Sequence, residues 1–351
     1  MLSNSKPLGG ALAASVHSVN YYQADRFTLK FAATALGIAA WDVDPPLLVD
    51  LQVALSDTGW TSLIIGEIDH IQVHPITGLI EMEGRDLSAR LIEAKTQEAF
   101  TNQTASEVAT TLAGRHGLTA NAAKTTTLIG RYYTQDHSAV TLGQFSRTTT
   151  EWELLVYLAQ REGFDVWVSG TVLNFQPTQP ENADPYVISY QAPSPVPWLN
   201  TVTLTLERSL TLAKDIQVDV RSWNSQQARA FTKTARAIGG RAVSAAGTTP
   251  GGKANATQRY VIVRPNLTED QAQKLANQTA QEITRHERVI AVEMPGELTL
   301  TPRNKVRLDG TGTSFDQTYW IDSIERSISF DEGFRQSMRM KNTSPRTQAE
   351  V

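Results

Sequence analysis

Apolar side chains recur at helical spacing within residues 151–162, and this stretch carries the clearest hydrophobic pattern of the chain. The apolar positions that predict one buried helix face are Trp152, Leu155, Val156 and Ala159. The polar positions expected to stay in water are Glu151, Gln160 and Arg161. A capping box of Thr150 and Glu153 marks the predicted helix start, and Gly163 suits its end because glycine adopts a left-handed conformation at little cost.

Two β-rich runs follow this helix directly. Residues 164–168 and 171–175 are separated by Ser169-Gly170, which predicts a two-residue hairpin turn. A helix and a hairpin of this size cannot bury their own apolar faces, so both are expected to dock onto a larger domain.

Alternating apolar and polar residues predict strand after strand between residues 19 and 85. Short strands with turns between them are typical of antiparallel barrels, so 19–85 is predicted to form a first β-barrel domain. Residues 1–18 contain Pro7 and a Gly9-Gly10 pair, and they are expected to form a loose N-terminal arm.

The hydrophobic period changes at Gly84-Arg85-Asp86. Asp86 can cap a short helix, and Thr104 with Glu107 has the spacing of another capping box. Together with the helix and hairpin described above, these helices predict an α+β insert over 86–180. The proline-rich run beyond it predicts a linker over 181–197.

A second β-rich region follows, and 198–345 is predicted to be another antiparallel β-barrel domain. Thr268 and Gln271 predict the start of a helix over 268–286. Residues 239–256 are rich in small side chains that cannot repay their ordering entropy, so they are expected to form a flexible loop. A short tail at 346–351 ends the chain. The predicted fold class is therefore α+β, with two antiparallel β-barrel domains and an α+β insert between them.

A weak internal repeat connects the two β-regions. The first copy reads Ile65-x-x-Ile68-Asp69 followed by Gly78 and Met82. The second copy reads Ile321-x-x-Ile324-Glu325 followed by Gly333 and Met338. The spacings slip by one residue between the copies, and the pattern fits two β-domains of one design.

Charge and cysteine content narrow the function classes. The chain has 32 basic and 36 acidic residues, a net charge of −4, and so lacks the basic surplus of phosphate-binding proteins. It has no cysteine, which excludes disulfides and thiolate metal sites. No stretch approaches the roughly 20 apolar residues that span a bilayer, so no membrane insertion is expected.

Two motifs resemble binding sites superficially. Residues 247–254 approach the phosphate-loop pattern, but Ala254 stands where a serine or threonine would bind magnesium, which disfavours nucleotide binding. His70 and His74 have the spacing of helical metal ligands, but an alternating run places them two pleats apart on a strand. The other histidines, His17, His116, His137 and His286, are predicted to be surface or capping residues.

Candidate catalytic groups have simpler explanations. Carboxylate pairs such as Glu81 and Glu83 follow from strand alternation, and no G-x-S-x-G elbow occurs. We therefore predict no catalytic residue, no cofactor and no metal. Acidic residues on outward strand faces would keep DNA from adhering if the β-domains line a channel; a solvated strand face is the alternative.

Three segments together resemble one protein family. They read GRDLSARLIEAK from Gly84, FTNQTASEVATTLAGRHGL from Phe100, and TEWELLVYLAQREGFDVWVSGTVLNFQP from Thr150. The sequence resembles the late control protein D family of contractile-tail phages, which is related to the N-terminal hub part of type VI secretion spike proteins. The resemblance is strong over 65–180 and covers the flanking regions by order and pattern only.

The resemblance implies a structural baseplate hub with two tube-type β-barrels per chain. Three chains would form a homotrimeric ring that imitates sixfold symmetry. The expected partners are the tail tube or a tube initiator on one side, a separate spike protein on the other, and wedge proteins around them. DNA would pass through the lumen without specific binding. The expected location is the baseplate of the virion tail, after assembly in the host cytoplasm.

Subunit contacts are expected on the β-domain edges and on the insert, with Trp152, Phe164, Trp167 and Phe175 as packing anchors. Two alternatives stay open. The chain could be the hub of a phage-derived injection system or tailocin, whose mechanical task is the same. It could also be a peptidoglycan hydrolase used during entry, which would require a catalytic carboxylate or metal.

Overall fold

A computed structural model describes the following parts of the chain: residues 2–3, 6–7, 10–20, 22–36, 46–55, 59–96, 98, 100, 102–126, 128–129, 149–178, 184–191, 198–209, 216–224, 229–237, 258–265, 267–284 and 287–342. The predicted loop 239–256, the phosphate-loop-like stretch 247–254, the tail 346–351, His137 and His286 lie outside the described residues.

The helices are α1 (Ala33–Leu36), α2 (Ser88–Glu93), α3 (Ala105–Arg115), α4 (Glu151–Glu162) and α5 (Glu269–Thr284). The strands up to the end of the Gly-Arg-Asp segment are β1 (Leu2–Ser3), β2 (Lys6–Pro7), β3 (Ala11–Val19), β4 (Arg26–Ala32), β5 (Leu48–Ala54), β6 (Trp60–His74) and β7 (Leu79–Asp86). The strands of the predicted insert are β8 (Lys95–Thr96), β9 (Gln103–Thr104), β10 (Thr119–Ala122), β11 (Leu128–Ile129), β12 (Thr149–Thr150), β13 (Phe164–Ser169) and β14 (Val172–Pro177). The remaining strands are β15 (Tyr186–Gln191), β16 (Trp198–Leu199), β17 (Thr203–Arg208), β18 (Ile216–Asn224), β19 (Arg229–Ala237), β20 (Gln258–Val263), β21 (Arg288–Pro295), β22 (Lys305–Asp309), β23 (Thr318–Ser329) and β24 (Gly333–Asn342).

The chain divides into two compact units. The first consists of residues 1–183, 295–302 and 323–337. The second consists of residues 184–294, 303–322 and 338–351. No helix in the described part of the chain is long and apolar enough to cross a membrane.

Five antiparallel strands form the first β-domain, and they pair in the order β5-β6-β7-β4-β3. Alternation explains the arrangement, because every second side chain of each strand enters one apolar core. The buried members of that core include Phe27, Leu29, Phe31, Val49, Leu51, Ile64, Ile80 and Met82. Strand β1 extends this sheet by pairing with β5.

A second set of strands repeats this topology. It pairs in the order β22-β23-β24-β21-β17. In chain order these strands are β17, β21, β22, β23 and β24, and they take the same places in the sheet as β3, β4, β5, β6 and β7 take in the first set. The internal sequence repeat falls on equivalent hairpins, β6–β7 and β23–β24. The predicted fold class, α+β with two antiparallel β-domains and an α+β insert between them, is confirmed.

The insert after β7 has its own core. Helices α2, α3 and α4 pack with a three-stranded sheet in the order β10-β14-β13, in which β10 is parallel to β14. The capping boxes predicted at Thr104 and Thr150 are both present, and Gly163 adopts a left-handed conformation with φ 74°. The hairpin turn lies at Gly170-Thr171, one residue later than predicted, because Ser169 pairs with Val172.

The second β-domain contains an insert that the sequence pattern did not separate. Strands β19, β18 and β20 form their own sheet, and α5 packs on it. Its apolar core consists mainly of Ile216, Val218, Val220, Ala235, Ala272, Ala276 and Ala280. Residues 198–345 are therefore not one uninterrupted β-domain. The strand β17 and the strand β21 are consecutive in the β-domain but lie on either side of this insert in the chain.

Two predicted boundaries are wrong. Residues 11–18, assigned to a loose arm, lie in β3, which pairs with both β4 and β23. The polar and small side chains of this segment, such as Ser15 and His17, do not give the apolar alternation that predicts a strand, although β3 is hydrogen-bonded on both edges. The linker predicted over 181–197 contains β15, which pairs in parallel with β22.

Candidate functional site

The Gly84-Arg85-Asp86 segment ends strand β7 and leads into helix α2, and each of its residues has a different structural task. Gly84 lies opposite Phe27 in the β4–β7 ladder. A Cβ atom on Gly84 would stand 2.2 Å from the Glu67 carbonyl oxygen and 2.3 Å from Phe27 Cζ. Gly66, on the neighbouring strand, is equally confined, because its Cβ would meet the Phe27 ring at 2.7 Å. These two glycines make room for the aromatic ring.

Arg85 ties the β6–β7 hairpin to helix α2. Its Nε donates to Asp69 Oδ2 at 2.6 Å and its Nη2 donates to Asp69 Oδ1 at 2.7 Å, a two-pronged contact. The same Nη2 also donates to Glu93 at the end of α2. The hydrogen bond to Asp69 raises the pKa of Arg85 above its usual range, with a further contribution from Glu93. The guanidinium therefore stays charged and holds the hairpin against the helix.

Asp86 is a buried carboxyl group beside the start of α2. The backbone N–H of Ser88 donates to Asp86 Oδ1 at 3.2 Å. The N-cap position of α2 is Leu87, which makes no side-chain cap hydrogen bond, so Asp86 is not the N-cap residue that the sequence predicted. Burial, the largest cause, and the nearby Asp25 together raise the pKa of Asp86 to about 7, against the lowering effect of the Ser88 hydrogen bonds.

Arg90 on α2 joins three elements of the first unit. Its Nε and Nη2 donate to Glu67 Oε1 on β6, at 3.0 and 2.5 Å. Its Nη1 donates to the backbone oxygen of His116 at 2.8 Å, at the carboxyl end of α3. A cation at this place also balances the partial negative charge of a helix end.

Glu151, at the first position of α4, is the residue whose role the sequence pattern did not predict. It was expected to stay in water, but only 3% of its surface is exposed. Arg115 Nη1 donates to Glu151 Oε1 at 2.6 Å, and His116 Nε2 lies 2.5 Å from Glu151 Oε2. Arg115 and His116 belong to the Arg-His-Gly-Leu segment at the end of α3. The signal available in the sequence was this pair of basic residues, which had no assigned acidic partner.

The four predicted anchors occupy two kinds of position. Trp152 is 4% exposed and Phe175 is 0% exposed, and both belong to the insert core. Trp152 Nε1 also donates to the Tyr22 carbonyl oxygen at 2.9 Å. Phe164 and Trp167 are half-buried, and the Phe164 ring lies 5.2 Å from the Phe175 ring between centroids. Trp152 and Phe175 are therefore structural residues of the subunit itself, and for Phe164 and Trp167 an interface role stays a prediction.

The other candidate groups are placed as follows. His70 and His74 lie on β6, opposite Glu83 and Leu79. Glu81 accepts a hydrogen bond from Lys30 Nζ at 2.9 Å, and this contact lowers its pKa. Among the described residues, no group of three or more histidine and carboxylate side chains lies close enough together to hold a metal ion.

The exposed surfaces are the remaining features with functional potential. On the sheet β19-β18-β20, Trp223, Val261 and Val263 are exposed. Exposed apolar residues also lie in the turns of the two equivalent hairpins, Ile76 between β6 and β7 and Phe330 between β23 and β24. Exposed apolar side chains that form a contiguous patch are typical of surfaces that contact other proteins, whereas single exposed ones are ordinary.

Comparison with solved structures finds the whole fold in tail proteins. The chain is similar to a tail protein from Neisseria meningitidis MC58, with a TM-score of 0.69, 12% identity, and coverage of 97% of this chain and 94% of the other. It is also similar to the 43 kDa tail protein of prophage MuSo2 from Shewanella oneidensis, with a TM-score of 0.64, 14% identity, and coverage of 97% and 96%.

A third similar structure is an Escherichia coli component of the type VI secretion system, itself described as similar to T4 phage tail proteins, with a TM-score of 0.55, 11% identity, and coverage of 99% of this chain and 76% of the other. No known family model matches the sequence. No curated protein matches it either. At these identities the likeness shows the fold, and it agrees with the resemblance found in the sequence.

Proposed function

We propose that this chain is a structural, non-enzymatic hub protein of a phage-type contractile tail, built into the baseplate as a homotrimeric ring. The observation that carries the proposal is the strand order that occurs twice in one chain. Three copies would supply six β-domains of one design. Such a ring can stack on a sixfold tail tube while it presents threefold symmetry to a central spike.

The surroundings proposed for the ring follow from that geometry. A tail tube or tube-initiator protein would bind one side, a spike protein the other, and baseplate wedge proteins the periphery. DNA would pass through the lumen without specific binding. The protein would assemble in the host cytoplasm and remain in the tail of the particle.

The paired charges within this chain have structural roles in the proposal. Arg85 and Arg90 connect the first β-domain to helix α2 of the insert, and Glu151 connects helices α3 and α4 within the insert, so the insert is fixed before subunits meet. A rigid subunit loses less conformational entropy when a ring closes.

The test is the oligomeric state combined with location. Light scattering of the purified chain should give three times the mass of one chain, and averaged electron micrographs should show a ring with six similar lobes. Antibodies against the chain should label the baseplate end of purified tails. A chain that remains monomeric at high concentration and is absent from purified tails would contradict the proposal.

Simple observations distinguish two alternative functions from the proposed phage hub. A tailocin or injection-system hub would give the same ring but come from particles without a capsid. A peptidoglycan hydrolase would clear cell wall in a zymogram. Clearing by the purified chain would replace the structural proposal, because a hub without enzymatic activity leaves the wall intact.

A further inference from the structure

The two equivalent hairpins share a feature that folding does not explain. Ile76, in the turn between β6 and β7, is fully exposed, and Phe330, in the turn between β23 and β24, is 84% exposed. Turn positions normally favour glycine, proline, asparagine, aspartate or serine. A single exposed apolar residue is ordinary, but here one recurs at the tip of each corresponding hairpin.

Both tips are ordered turns. Gly78 and Gly333 adopt left-handed conformations, with φ of 67° and 70°. Gly78 directly precedes β7, and Gly333 is the first residue of β24. Gly78 N–H donates to the His74 carbonyl oxygen at 2.9 Å, and Glu332 N–H donates to Ser329 Oγ at 3.1 Å. The exposed side chains are therefore held in position by hydrogen-bonded backbone.

The two tips correspond by their place between equivalent strands and not by one exact sequence position. Ile76 lies 11 residues after Ile65 and Phe330 lies 9 residues after Ile321, in a turn that is one residue shorter. The exposed apolar tip is thus part of what the two β-domains have in common.

We infer that these two tips are docking points for the tail-tube ring, a partner repeated six times that offers one apolar socket per copy. The inference rests on the proposed trimeric hub, in which three chains carry three Ile76 tips and three Phe330 tips. A threefold spike would need one kind of tip only. Repetition of the feature in both halves of the chain matches a sixfold partner, and burial of each tip in its socket supplies the attraction.

The experiment uses the full chain and the tube protein purified from the same particle. Ile76→Ser, Phe330→Ser and the double variant are compared with wild type for trimer mass by light scattering and for tube attachment by electron microscopy. The matched control is Trp60→Ser, which removes another exposed apolar side chain from the other end of the same strand β6.

We expect every variant to stay trimeric. Each single variant should lose about tenfold or more in tube attachment, since burial of an apolar side chain is worth at least that factor, and the double variant should lose more than either. Trp60→Ser should attach like wild type.

Intact trimers of the double variant that bind tubes normally would overturn the inference and leave the hub proposal standing. Loss of trimers in the tip variants would also overturn it, because the tips would then be subunit contacts. A wild-type chain that forms no trimer would remove the hub proposal itself, and the tip inference with it.

Discussion

The ring of Phe27 occupies the space where Gly84 would carry a side chain, so that a Cβ atom on Gly84 would lie 2.3 Å from Phe27 Cζ. Phe27 is 2% exposed and belongs to the core of the first β-domain. The glycine of the Gly-Arg-Asp segment is thus required by packing at the point where the β-domain meets the insert.

Gly84→Ala should therefore destabilise the first unit by about 1–3 kcal/mol, the usual cost of forcing an extra carbon into a packed core. Urea unfolding followed by tryptophan fluorescence measures the change. Gly114→Ala is the matched control, because a Cβ atom on Gly114 would meet nothing within 4 Å and the residue lies in helix α3. That control should gain up to about 1 kcal/mol. Equal midpoints for the two variants would contradict the packing argument.

The buried carboxylate of Glu151 provides a second prediction. Arg115 binds two carboxylates, Glu151 at 2.6 Å and Glu98 at 2.8 Å, but the Glu151 side chain is buried and the Glu98 side chain is half exposed. Glu151→Gln should cost about 1–3 kcal/mol, because charged hydrogen bonds in a buried site are lost. Glu98→Gln should cost less than about 1 kcal/mol, as surface ion pairs do. Thermal unfolding of the two variants measures both costs. A larger loss of stability in Glu98→Gln than in Glu151→Gln would contradict the prediction.

Much of this architecture could be predicted from the sequence because local chemistry dictates it. Thr104 and Thr150 cap their helices through side chains three residues from their partners, so the signal is short-range. The alternation in β4 to β7 likewise reflects one buried face per strand. The repeat pointed to two hairpins that prove equivalent in strand order.

The parts that could not be predicted depend on distant partners. Strand β3 is rich in alanine and serine, and it is ordered because β4 and β23 pair with its two edges. Glu151 sits at a helix start, where an acidic residue needs no further explanation. Its burial arises from Arg115 and His116, which lie 36 and 35 residues away in the chain. Local pattern contains no information on either contact.

One pair of variants distinguishes a predicted anchor in the core of the subunit from one at its surface. Trp152→Ala should destabilise the monomer by about 3–5 kcal/mol, because it leaves a cavity in the insert core and removes the hydrogen bond to the Tyr22 carbonyl oxygen. Trp167→Ala, at a half-buried position, should destabilise the single chain less and weaken the proposed trimer more. Chemical unfolding and concentration-dependent light scattering measure the two effects separately. A Trp167→Ala protein with wild-type trimer strength would remove this residue from the proposed interface.

Asp86 should make stability depend on pH in a direction opposite to that of most carboxylates. Its folded pKa is raised to about 7 by burial and by Asp25, whereas the unfolded value is about 3.9. The folded protein therefore keeps a proton that the unfolded chain has released, and the stabilisation from this group is complete below about pH 4 and lost as pH rises to about 7. The slope can reach about 1.4 kcal/mol per pH unit.

Asp86→Asn tests this directly, because the amide oxygen can still accept from the Ser88 N–H while the side chain no longer titrates. The stability of wild type relative to Asp86→Asn should fall as pH rises from about 5 to about 7 and then level off. Glu81→Gln is the control, since the contact with Lys30 lowers the pKa of Glu81 and places its titration below this window. Urea unfolding across the pH series gives both curves. Parallel curves for wild type and Asp86→Asn would mean that the buried carboxyl group is ionised throughout, with a counter-charge that compensates for its burial.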